Sequence, residues 1–167
     1  VLQLARIEKR KMNITLENID LHETITNIVK TFSLNLKDNN GEIKLDLQAD
    51  DPLIKADKQH LTNLIYNLLD NAVKFSTENP EIRISTKQND HELTISCADK
   101  GIGIDKKYIN KIFNKFYRIP TGNIYNVKGF GLGLNYVKNI VNAHNWRIKV
   151  ESKPGEGSIF TIFIHLS

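Results

Sequence analysis

The chain has 167 residues, 40% of them hydrophobic and 25% charged, with a formal net charge of +4. That is the balance of one soluble globular domain, long enough to hide ~70% of its unfolded surface around its own core. It excludes a disordered tail, and it excludes a bundle of membrane spans, since no apolar run approaches the ~20 residues a span needs.

In chain order, residues 1–11 carry Leu2, Leu4 and Ile7 among charges and read as the tail of a helix that starts upstream. The first residue is Val1 rather than Met, and the charged start lacks the apolar stretch of a secretory leader, so a piece of a longer protein is expected. Ile14 and Leu16 alternate with polar residues as a short strand. Asp20 opens a helix at capping-box spacing from Glu23, with Leu21, Ile25, Ile28, Val29, Phe32 and Leu36 as its apolar stripe. Asn39-Asn40-Gly41 ends that helix, and Ile43, Leu45 and Leu47 alternate as a strand. Pro52 to Ala56 is extended, and Asp57 caps a helix over about 58–76 with Leu61, Leu64, Ile65, Leu68, Leu69 and Ala72 on its core face. Strands follow at about 81–87 and 92–98, then glycine-interrupted loop and short helix to about 130. Gly131 to His144 is helical, with Leu134, Val137, Ile140 and Val141 inward. Strands at about 146–152 and 158–166 close the chain as a hairpin across Lys153-Pro154-Gly155-Glu156-Gly157. Helices with adjacent antiparallel strands imply an α+β layer of helices on a mixed sheet.

Candidate chemistry gathers in a few places. His60, Asn63, Asn67, Asn71 and Lys74 recur at spacings of three and four, so they share one helix face. Asn is a poor helix former. A solvated face accounts for the row as well as the alternative, amide oxygens offered to Mg²⁺ with Lys74 near phosphate oxygens. Asp99-Lys100-Gly101-Ile102-Gly103-Ile104 follows an apolar strand. Taken alone it is an ordinary turn; its glycines would also let backbone approach a flat ligand while the carboxylate accepts a hydrogen bond. Gly129-Phe130-Gly131-Leu132-Gly133-Leu134 opens a helix, where exposed N–H groups suit phosphate. GxGxxG, Walker and HExxH patterns all fail on spacing. The lone Cys97 excludes an internal disulfide and suits a reducing cytoplasm. The lysines are spread rather than clustered with aromatics, so no nucleic-acid partner is expected.

Together these segments resemble the sensor histidine kinases. Asn67-Leu-Leu-Asp-Asn71-Ala-Val-Lys74-Phe75-Ser76 looks like their N box, Asp99 to Ile104 like the G1 box, Phe113 to Arg118 like the F box and Gly129 to Leu134 like the G2 box, in the family's order. The resemblance implies the catalytic ATP-binding domain of a bacterial two-component sensor: a Bergerat-type α+β two-layer sandwich, a mixed sheet covered on one face by three helices, with a flexible ATP lid at about 119–128. By the same resemblance Asn71 would bind Mg²⁺ with Asn67 in support, and Asp99 would accept the adenine amino proton. Gly101, Gly103 and Ile104 would line the ring, Phe75 would pack near it, and Lys74, Arg118 and Lys128 would face phosphates. Gly129, Gly131, Leu132 and Gly133 would give the triphosphate its backbone contacts. Three positions depart from the usual boxes: Lys100 for Asn, Phe130 for Thr or Ser, and Phe75 for Tyr.

The family phosphorylates a histidine on an upstream helical hairpin. His91-Glu92-Leu93-Thr94 imitates the start of that motif, but it sits in strand and no Pro follows. Residues 1–12 are therefore expected to end the hairpin's second helix, with the ATP-binding domain over 13–167. The chain is expected to bind Mg-ATP, to donate phosphate to the absent hairpin, and to be unable to phosphorylate itself. The implied partners are that hairpin and a response regulator receiver domain. A monomeric fragment of a homodimeric parent is expected, on the cytoplasmic side if the parent spans a membrane. The alternatives are a nucleotide-binding module without transfer and an ATPase of the wider superfamily that includes type II topoisomerases.

Overall fold

The computed structural model describes residues 12–36, 40–120 and 129–166. Strand β1 (Glu17–Asp20) leads directly into helix α1 (Leu21–Leu36), then come β2 (Glu42–Leu47), β3 (Leu53–Ala56) and helix α2 (Lys58–Lys74). Strands β4 (Glu81–Gln88) and β5 (Glu92–Asp99), a short 3₁₀ turn at Lys106–Tyr108, helix α3 (Gly133–Ala143) and strands β6 (Arg147–Lys153) and β7 (Gly157–His165) follow. The main sheet has five strands in the order β2-β4-β5-β7-β6, and β1 pairs with β3 in a separate two-stranded sheet. Within the five, β2 and β4 run parallel while every other pair is antiparallel. The parallel pair needs a crossover, which β3 and α2 supply.

One sheet face carries the apolar side chains. Ile82 and Ile84 on β4, Leu93, Ile95 and Cys97 on β5, and Phe160, Ile162 and Ile164 on β7 are all buried. Against them lie the predicted helix stripes: Leu21, Ile25, Ile28, Val29, Phe32 and Leu36 of α1, Leu61 to Ala72 of α2, and Val137, Ile140 and Val141 of α3. Each such Leu or Ile contributes roughly 1.5–3 kcal/mol by leaving water. This is the two-layer arrangement expected from the sequence. No described helix is long and apolar enough to cross a membrane.

The local stops also follow the sequence. Asp20 Oδ1 accepts the Glu23 N–H at 2.9 Å, and Asp57 Oδ1 accepts the His60 N–H at 3.0 Å, so both helices are capped as expected. Ser76 closes α2 by donating its hydroxyl to the Ala72 carbonyl at 2.6 Å.

Some boundaries move. The first strand lies at Glu17–Asp20 instead of at Ile14 and Leu16. The Thr15 N–H goes to Asp57 Oδ2 at 2.8 Å rather than to a ladder, Leu16 is 54% exposed, and the buried member of the strand is Ile19, opposite Ile54. Helix α3 begins at Gly133, not Gly131, because Gly131 has φ +69°, outside helical space. His91 lies in the bend before β5 rather than in the strand, and it is exposed. The helical tail expected at residues 1–11, and the lid at 121–128, fall outside the described residues.

Candidate functional site

The polar row on α2 divides in two. His60 Nδ1 lies 2.9 Å from the Tyr136 hydroxyl on α3, and Asn63 Nδ2 donates to the same oxygen at 3.3 Å. Those two side chains therefore pack between helices and do not extend the binding face. Beyond them, Asn67 Nδ2 donates to the Asn63 carbonyl at 2.7 Å. Asn71 is half-buried, and Lys74 Nζ sits 2.6 Å from Asp70 Oδ2 one turn back.

Asp99 is the last residue of β5, and its Oδ1 accepts the Gly101 N–H at 2.8 Å. The next residue, Ile102, donates its N–H to the Phe75 carbonyl at 3.0 Å, which fastens this loop to the end of α2. A Cβ on Gly101 would stand 2.5 Å from that carbonyl oxygen, so the close approach requires glycine. Burial pushes the Asp99 carboxyl above its ordinary value, opposed by the N–H groups of Gly101 and Ser158.

The far side of the loop is held by the closing hairpin. Gly155 N–H donates to the Ile102 carbonyl at 2.7 Å, and the Ile104 N–H donates to Ser152 Oγ at 2.8 Å. Ser152 in turn donates to the Gly157 carbonyl and meets Ser158 Oγ, each at 2.8 Å. Lys100 is turned to Glu81 at the start of β4, and that ion pair holds the Glu81 carboxyl below its ordinary value.

The third wall joins residues 113–118 to 129–133. Phe116 N–H donates to the Gly131 carbonyl at 3.0 Å, and Asn135 Nδ2 donates to the Phe113 carbonyl at 3.0 Å. At φ +69° a Cβ on Gly131 would stand 2.8 Å from the Tyr117 carbonyl oxygen, so this junction too requires glycine. Helix α3 starts without a side-chain cap at Leu132. Phe130 is 84% exposed, Phe116 and Arg118 are exposed as well, and Gly129 has open space around it. Lys128 lies outside the described residues.

The structure thus ties Phe75, Asp99, Gly101 and Ile102 into one junction, and it brings the Asn67 side chain close to Gly133 across the α2–α3 seam. A cavity of about 810 Å³ includes Asp99, Lys106, Ile109 and the hairpin around Pro154; one of about 510 Å³ lies between β1, α1 and the start of α2. None of the box residues lines the second. Sequence reasoning missed Ser152, whose hydroxyl braces the Asp99 loop, and Tyr136, which takes half of the polar row. A serine in a strand and a tyrosine on a helix carry no spacing signal that would have singled them out.

The family described as histidine kinase-, DNA gyrase B- and HSP90-like ATPase matches residues 56–167. The chain belongs to this family. Sensor protein RprX of Bacteroides fragilis is 42% identical over 168 residues, covering 99% of this chain and 32% of RprX. Sensor histidine kinase WalK of Bacillus subtilis is 31% identical over 163 residues, covering 96% of this chain and 26% of WalK. The chain therefore spans a third or less of the length of these relatives. Mycobacterial sensor histidine kinase MprB superposes with a TM-score of 0.75 at 23% identity, over 90% of this chain and 97% of the MprB chain. Full-length ShkA, in complex with AMPPNP, superposes at 0.82 with 24% identity over 99% of this chain and 35% of its own. These likenesses make the fold that of histidine kinase catalytic domains.

Proposed function

We propose that the chain binds Mg-ATP between α2, the Asp99 loop and the start of α3, and donates the γ-phosphate to a histidine on a dimerisation hairpin upstream. Two-component signalling is the setting, with a response regulator receiver domain as the next acceptor; the solved neighbour ThkA, 20% identical, is in complex with the response regulator TrrA. The observation that carries this is the junction at Asp99. There a half-buried carboxylate stands beside a glycine that lies against the Phe75 carbonyl, and a carboxylate oxygen can accept the hydrogen bond that an adenine amino group offers.

The residues present fit the remaining groups. Asn71 and Asn67 offer amide oxygens, hard donors that would hold Mg²⁺, and the ion would supply charge neutralisation at the phosphates. The uncapped start of α3, with Gly131 and Gly133, offers backbone N–H groups to phosphate. Lys74 would exchange Asp70 for a phosphate oxygen, and Arg118 would face the same side. Phe75, Gly103 and Ile104 would border the ring; Gly129, Leu132 and Lys128 would border the triphosphate. The domain proper would span 13–167, with 1–12 ending the hairpin, and the setting would be cytoplasmic.

Four of the five histidine side chains are engaged elsewhere, and the fifth, His91, is exposed in the bend before β5. His22 meets Thr86, His60 meets Tyr136, His144 meets Asp57, and His165 donates to the His91 carbonyl in an exposed bend. Calorimetric titration of ATP with and without Mg²⁺ tests the binding, and Asp99→Asn should abolish it. Incubation with γ-labelled ATP should leave the chain unlabelled yet label a separately supplied hairpin. Binding without transfer would favour a nucleotide-sensing module, and steady hydrolysis without an acceptor would favour an ATPase.

A further inference from the structure

Helices α2 and α3 run past each other with Asn63 opposite Tyr136 and, one turn on along α2, Asn67 opposite Gly133. The two contacts differ in kind. At the first, the Tyr136 hydroxyl receives Asn63 Nδ2 and meets His60 Nδ1, so both helices are joined by hydrogen bonds. At the second there is only proximity: Asn67 Oδ1 stands 2.8 Å from where a Gly133 Cβ would be. A contact without a bond of its own depends on its neighbours for spacing. Helix turns are ~5.4 Å apart, so a bonded rung fixes the rung beside it.

Asn63 belongs to both rungs. Its side chain donates to Tyr136 while its main-chain carbonyl accepts Asn67 Nδ2 at 2.7 Å. That second bond decides which end of the Asn67 amide looks outward: nitrogen to α2, oxygen toward the start of α3. We infer that Tyr136 is a positioning residue for the phosphate side of the nucleotide site, its hydroxyl setting the α2–α3 spacing at which the Asn67 oxygen faces the N-terminus of α3. The inference rests on the nucleotide site proposed above.

Tyr136→Phe removes one hydroxyl and keeps the ring, which leaves the packing of the seam in place. Two measurements on the whole chain test it. In the ligand-free protein, the Asn67 carboxamide and Gly133 amide resonances should shift, which requires no nucleotide. In titrations, Mg-ATP affinity should fall about three- to tenfold, the scale of one net hydrogen bond, while adenosine affinity stays unchanged. Unmoved resonances at Asn67 and Gly133 would overturn the inference. So would equal losses for Mg-ATP and adenosine, which mark general loosening of the fold. Absence of Mg-ATP binding by the native chain, with resonances that do shift, would sink the nucleotide reading and leave the spacing role of Tyr136 standing on the ligand-free data.

Discussion

At Asp99 the proposed ligand role and the stability of the fold pull in opposite directions. Its carboxyl is raised in the fold, chiefly by burial, so above the unfolded value of 3.8 the folded state binds more protons than the unfolded one. Stability from this group therefore falls as pH rises through that window, and the ionised form at neutral pH is a net cost. Asn at position 99 would still accept the Gly101 N–H. Asp99→Asn should thus melt no lower than the native chain at pH 7.5 while losing nucleotide binding; a melting temperature several degrees lower would make Asp99 a structural residue first. His144 works with the opposite sign of charge. Its Nε2 accepts the Asp57 N–H at 3.0 Å, so the proton is on Nδ1, which donates to the Ile140 carbonyl at 2.8 Å, and the neutral ring stacks on Trp146. Burial holds this imidazole below 6.5. The unfolded chain binds the proton first, so stability is lost as pH falls from about 6.5 toward the lowered folded value. Urea midpoints at pH 7.5 and pH 5.5 should show a smaller difference in His144→Gln than in the native chain.

Among the elements, the junction at Gly131 is the most exposed to a single change. An alanine there meets the Tyr117 and Phe116 backbone at a left-handed φ, so either residues 116–118 or the start of α3 must move. Gly131→Ala should cost about 1–3 kcal/mol of stability and weaken Mg-ATP more than adenosine, by denaturant melts and titration respectively. The elements also show what a sequence can say. Helices α1 and α2 were legible because six apolar residues recur on each at helical spacing and every one of them is buried. Strand β1 was not, because four residues with a single buried member, Ile19, carry no period, and its partner β3 is distant in sequence. The α2 row was half legible. Spacing put His60 and Asn63 on the face of Asn67 correctly, but only the position of α3 shows that Tyr136 takes them. The loops at Asp99 and Gly131 were legible as motifs, whereas Ser152 was silent, since its role comes from a hairpin folded back onto the Asp99 loop.

At the scale of the molecule, the sheet separates two functions. Its buried face and three helices make the core, and the proposed nucleotide site lies at the ends of α2, β5 and α3. With dimerisation proposed to lie in the upstream hairpin, the chain should run as a monomer in gel filtration, and a concentration-independent dimer would mean that the described surface carries an interface of its own. The same layering isolates Cys97. It is the chain's one cysteine, lies on the buried face of β5, and burial pushes its thiol up to about 12. The thiolate is the form that attacks alkylating reagents, so in the native state this sulfur is silent, and it reacts only when β5 parts from the helices above it. The rate of its alkylation under native conditions is therefore a built-in clock for opening of the sheet. A second cysteine placed on the surface could carry a probe with no competing label.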